Sequence, residues 1–170
     1  MKKLIIATCF CFLAMLGANA QRGAFEQIPV KEVLENTTFK AVAYNFVYDI
    51  IFRDYRAAKN LINKKAMKSL GGDNLFKNLD NGTIHDISEM RRVIPLGYLP
   101  VIVGCDDANL TGYFGQDQPN PFEGCQAKSV SFNCVNDKGE AYNHEYGDYD
   151  TTARVILVHD KGKWTVIGFK

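Results

Sequence analysis

Tyr44 and Tyr48 stand four residues apart in "FKAVAYNFVYDIIF", and Asp49 follows directly. On a helix that spacing puts both phenols on one face. There they would offer hydroxyl donors, and a desolvated Asp49 beside them would be fit to act as a general base. The plainer reading packs the rings with their hydroxyls at the surface and leaves Asp49 in water. A second polar concentration lies in "GCDDANLTGYFGQDQPNPFEGC", Gly104 to Cys125. Asp106, Asp107, Asn109 and Asp117 are the oxygen ligands that hard cations take, but they lack the alternation and later Glu of a calcium loop. Asp, Asn and Gly are also common in irregular connections, so the stretch reads as a structural loop with no metal and no cofactor.

Other chemistry has less support. His85, His144 and His159 are far apart and show no ligand-pair spacing for zinc. Ser69, Ser88, Ser129 and Ser131 sit in no nucleophile elbow, and no cysteine lies in a nucleophile signature. The tripeptides beginning at Asn36, Asn81 and Asn109 fit the N-glycan acceptor pattern, and Asp150-Thr151-Thr152 resembles a short bacterial O-glycan site. All four are short enough to arise by chance.

The elements that would position these groups follow from periodicity. Thr37 or Thr38 is a fitting cap for a helix that carries Phe39, Val42, Ala43, Phe46, Val47, Ile50 and Ile51 at three- and four-residue spacing. After a turn at Arg53-Asp54, "RDYRAAKNLINKKAMKSLGG" predicts a second helix, capped by Asp54 and ended by Gly71-Gly72. A brief third helix is expected from Ile84 to Val93. From Tyr98 the pattern is β: "YLPVIVGC", "AKSVSFNCV", "TTARVILVH" and "KWTVIGFK" are strands, and "AYNHEYGDYD" is a fifth strand or an irregular bridge. "NDKGE" and "HDKGK" are hairpin turns. Helices first and antiparallel strands afterwards is an α+β layout, with the helices on one face of a curled sheet of four to five strands. Val155 and Leu157 alternate with Ile156 and Val158, so both sheet faces are apolar and both need cover, the second from the long loop or a partner subunit.

The first twenty residues, with Lys2 and Lys3, an apolar run from Leu4 to Leu16 and Ala18-Asn19-Ala20, have the layout of a cleaved secretory signal. A run of 13 residues is short of the roughly 20 that a membrane span needs. Cleavage after Ala20 leaves 150 residues for a secreted or periplasmic protein: a lead segment, 21–37, and one domain, 38–170, with an inserted loop at 105–125. The chain has 20 Lys and Arg against 19 Asp and Glu, and loss of Lys2 and Lys3 leaves 18 against 19, a net charge of −1. That balance, with the charges interspersed, argues against nucleic acid as a partner.

Cysteines of an exported protein tend to pair. Cys125 and Cys134 sit at the two ends of one strand, about 30 Å apart, too far to bridge. If "YLPVIVGC" and "QAKSVSFNC" are neighbouring antiparallel strands, Cys105 and Cys125 meet at the hairpin neck. That favours a Cys105–Cys125 disulfide and leaves Cys134 as a small buried residue.

The order of elements, "RDYRAAKNLINKKAMKSL" after an amphipathic helix and a closing "GKWTVIGF", resembles the nuclear transport factor 2-like, or cystatin-like, superfamily, which includes many small secreted bacterial proteins. The likeness rests on Asp54-Tyr55 and Trp164 and covers Thr38 to Lys170. It implies a cone-like, strongly bent sheet closed by helices around a ligand cavity; some members are isomerases or dehydratases, although fold alone confers no function. Three readings follow. The first is a non-catalytic domain that binds a small ligand or protein in the helix–sheet cavity through Tyr44, Tyr48, Tyr113 and Phe114. The second is a small lyase, isomerase or hydrolase with Asp49 as base. The third is a structural module that forms a homodimer through its sheet. The enzyme needs a buried ionisable group in the cavity, the binder an apolar pocket, and the dimer an uncovered sheet face.

Overall fold

The Thr38 hydroxyl accepts a hydrogen bond from Ala41 N at 3.2 Å and so starts helix α1, Phe39–Ile51. A cap of this kind contributes about 1 kcal/mol. The structure, a computed structural model, describes residues 35–84, 98–111, 119–140 and 153–170, together with Ile87, Ser88, Met90, Arg91, Tyr113 and Phe114. All of them lie within the unit Lys31–Lys170. The expected signal segment, its cleavage site and the candidate strand at 141–150 are outside the described residues.

Helix α1 is enclosed more completely than its apolar stripe predicts. From Ala41 to Ile51 every residue is buried except Tyr44, which is half-buried. The helix stops at Phe52, and Arg53 adopts a left-handed backbone with φ 61°. Asp54 then accepts a bond from Ala57 N at 3.1 Å and caps helix α2, Tyr55–Leu61. The turn at Arg53-Asp54 is where local chemistry predicts it.

The end of α2 is not. The sequence predicts a helix running to Leu70, yet the chain leaves helical geometry at Ile62, which bridges to Val166 in parallel. Asn63 explains the break. Its backbone N–H donates to Val166 O at 2.8 Å, and its side-chain amide donates to Thr165 Oγ1 at 2.9 Å and to Asp160 at 3.3 Å. Its own Oδ1 accepts from Lys65 N at 3.0 Å. A side chain that offers the backbone such alternatives competes with helix continuation. A chain of turns follows, then Gly71 with φ 105° and a short 3₁₀ turn, Gly72–Asn74, which leads into helix α3, Leu75–Asp80. Helix α3 was not predicted, although fully buried Leu75 and Leu79 stand four residues apart. Ile87, Ser88, Met90 and Arg91 are helical, within the third helix expected at 84–93.

Four strands, β1 (Leu99–Asp107), β2 (Ala127–Val135), β3 (Ala153–Asp160) and β4 (Lys163–Phe169), form an open antiparallel sheet in the order β1-β2-β3-β4. With three α-helices among the described residues, the fold is α+β. The β3–β4 hairpin turns through Lys161 and Gly162, at φ 52° and 77°, the paired positive values that a two-residue hairpin turn requires. Pairing register shifts once between Ile102 and Gly104 in β1 and once between Ile156 and Leu157 in β3.

Two apolar cores flank the sheet. Val42, Phe46, Val47 and Ile50 of α1 join Val130, Phe132, Val155, Leu157 and Val166 in the larger one. Phe46 lies 5.1 Å from Phe169 and Phe39 lies 5.4 Å from Trp164, ring centre to ring centre. The smaller core joins Val158, Ile167 and Ala127 to Leu110 and Phe122 of the inserted loop and to Ala66. The loop therefore covers part of the second apolar face, one of the two covers that the alternating strands call for. Ala58 and Ile62 serve the larger core and Ala66 the smaller, so the helical spacing of that segment is divided between opposite sides of the sheet. Among the described residues no helix is long and apolar enough to cross a membrane.

Candidate functional site

The β1–β2 register decides the fate of the cysteines. Cys105 pairs with Val130 and shares the helix-side face, whereas Cys125 lies five residues before Val130, beyond the start of β2. Along an extended strand that is about 16 Å, more than twice what a disulfide spans. Cys105 packs against the larger core and Cys125 against the smaller one. The structure sets Cys105 opposite Val130 rather than Cys125, with Cys105, Cys125 and Cys134 as free thiols. Cys134 is the small buried residue that strand alternation implies, and burial pushes its thiol up to about 12.

Apolar contacts and short local bonds fasten the loop instead. Asn109 Oδ1 accepts from Thr111 N at 2.8 Å, and Asn120 Oδ1 accepts from Phe122 N at 2.9 Å. Phe114 packs on fully buried Phe122 at 5.7 Å, and the Lys65 ammonium lies 5.5 Å from the centre of the same ring. Asp107 is paired with Lys128 at 2.6 Å. These contacts fasten the loop, and among the described residues no group of three metal-binding side chains occurs. Asp117 lies outside the described residues.

The aromatic tip sits on the sheet. Tyr113 and Phe114 meet edge to face at 5.0 Å, and the Tyr113 hydroxyl rests directly over Gly168 of β4. Tyr113 borders a cavity of about 430 Å³ whose lining includes Asp106, Ser129, Arg154, Ile156 and Phe169. Desolvation raises the Tyr113 phenol above the ordinary tyrosine range. Phe114 borders a second cavity, about 550 Å³, with Lys65, Lys68, Ser69, Pro119 and Pro121.

Strand register builds the floor of the first cavity. Asp106, Ser129, Ile156 and Gly168 are successive cross-strand partners, and Gly104, Ser131 and Arg154 form the next row. Antiparallel partners project to the same side. Ser and Gly between the longer side chains leave the hollow that Tyr113 roofs. Arg154 and Ser129 were missed by sequence reasoning. The period-two alternation of β3 separates Arg154 and Ile156 from Val155 and Leu157, but it carries no information about what they face.

Tyr44, Tyr48 and Asp49 line neither cavity. Asp49 is 2 % exposed and Tyr48 is also buried, with its ring 6.1 Å from Tyr44 and 4.4 Å from Phe52. The helix carrying them is packed against the larger core. His159 is exposed on β3 with its ring 5.1 Å from Trp164; His85 and His144 lie outside the described residues.

A third polar cluster joins α2, α3 and the helical segment at Arg91. Buried Arg91 donates to the Tyr55 hydroxyl at 2.9 Å, to Leu79 O at 3.3 Å and, through a short ion pair, to Asp80. Tyr55 donates to Asp80 Oδ1 at 2.7 Å and stacks on Phe76 at 4.9 Å. The two bonds hold the Asp80 carboxyl below its ordinary range. Desolvation and the bond to Asp80 raise Tyr55. Apart from Arg91 Nε, which is buried with no hydrogen-bond partner among the described residues, the polar groups of this cluster join elements, and neither cavity described above is lined by them.

Comparison with family models, with characterised proteins and with solved structures gives no match.

Proposed function

We propose that this chain is an exported binding domain of the nuclear transport factor 2-like type, without catalysis of its own, and that it takes a small polar ligand in the outer cleft roofed by Tyr113. The two register shifts in the sheet support the bent, cone-like geometry of that family, because bulges bend a sheet. The observation that carries the reading is the cleft of about 430 Å³ between Tyr113 and the Asp106–Ser129–Ile156 row. Its size falls in the usual range for small-ligand sites, and its polar groups surround a floor with an apolar contact at Ile156. The binding site expected between α1 and the sheet has the weaker case, since Phe46, Val47 and Ile50 are fully buried there in the larger core.

Thermal-shift screening of the chain against polar metabolites, alongside Ile156→Trp, tests the proposal. A ligand should raise the melting temperature of the parent and leave the variant, whose cleft floor is filled, unchanged. Binding that survives Ile156→Trp would move the site elsewhere.

A further inference from the structure

The charges around the cleft narrow its ligand class; the argument rests on the cleft reading above. Asp107 is neutralised by Lys128, whereas Asp106, Arg154 and Lys170, all in the cleft lining, have no ion-pair partner among the described residues. Asp106 stands on β1 and Arg154 on β3, two strands over and one row further along the same face. Two strand spacings and two residues of rise place their Cα atoms about 12 Å apart. A simple cation would be repelled by Arg154 and Lys170, and a simple anion would be repelled by Asp106 at the other end. A ligand with both charges, set well apart, gains at both.

We infer that the cleft binds a short peptide with free ends, its ammonium at Asp106 and its carboxylate at Arg154. About three extended residues span roughly 10 Å, which matches the gap, whereas one amino acid reaches only one end. Ser129 and Tyr113 bring hydroxyls to the same lining that could pair with peptide groups, and Ile156 offers a contact for an apolar side chain.

The test is an NMR titration of the full chain with trialanine, N-acetyl-trialanine and trialanine amide, repeated on Asp106→Asn, Arg154→Gln and Ile156→Trp. Trialanine should shift resonances of the cleft. Blocking either end should weaken binding about fivefold, the scale of one partly exposed charge pair. In Asp106→Asn the acetyl group should cost nothing further, and in Arg154→Gln the same should hold for the amide. Equal binding of all three peptides, or no binding of trialanine while a screened metabolite still requires an open cleft, overturns the peptide assignment alone. If nothing binds in a manner that Ile156→Trp abolishes, the cleft reading falls with it.

Discussion

A Cβ built on Gly168 would fall 1.5 Å from the Tyr113 hydroxyl oxygen. The glycine has no positive φ to demand it; it is needed because a loop side chain occupies the space above the strand. Gly168→Ala should therefore displace the loop tip and cost about 1–3 kcal/mol, as overpacking does. In a Tyr113→Ala background the same change should cost nothing or gain a few tenths, since alanine suits a strand interior better than glycine. Urea denaturation of the four proteins measures the coupling, and additive costs would show that the two residues do not meet.

Asn63 carries the break after α2 through bonds to Thr165 and Asp160. Asn63→Ala removes the partner of buried Thr165 and should destabilise by about 1–3 kcal/mol. A gain in stability, with helix content rising by circular dichroism, would mean that the segment prefers the helix its spacing suggests.

Acid should weaken the fold through two aspartates. Asp80 is held below its ordinary range by Tyr55 and Arg91, and Asp160 by Asn63, with Lys65 adding to it. A depressed carboxyl stabilises the fold above its unfolded value of about 3.9, and that contribution is lost as pH falls through the lower folded value. Stability measured from pH 6 down to pH 2 should decline below about pH 4. The slope should flatten in Asp80→Asn with Asp160→Asn; an unchanged slope would assign the acid response to other carboxyls.

Thiol counting tests the register. Alkylation of the folded protein should reach partly buried Cys105 and Cys125 and leave Cys134 unmodified until denaturant is added. Its thiol is buried and its pKa is raised to about 12, so thiolate is scarce at neutral pH. A mass lower by two hydrogens before reduction would show a bridge, and would require Cys105 to leave its place opposite Val130.

Much of the local architecture was legible. Thr38 as a cap, the turn at Arg53-Asp54, the four strands and the Lys161-Gly162 turn all depend on neighbours within a few residues. Of the candidate site, Tyr113 and Phe114 stood out as aromatic residues in a polar loop. Ser129 and Arg154 did not, because on a strand with two apolar faces a lone serine or arginine gives no sign of its cross-strand company.

The sequence by itself determined α1, the start of α2 and the four strands, and that the sheet has two faces in need of cover, because periodicity and capping are written at short range. The tertiary structure decided the rest: that α2 stops at Ile62, that the inserted loop covers part of the second face, that Cys105 faces Val130, and that Asp106 and Arg154 flank one hollow. These depend on strand register and on contacts between residues far apart in the chain. Register shifts by a residue wherever a bulge is inserted, as at Ile102 and Gly104, and such a shift reassigns which side chains share a face.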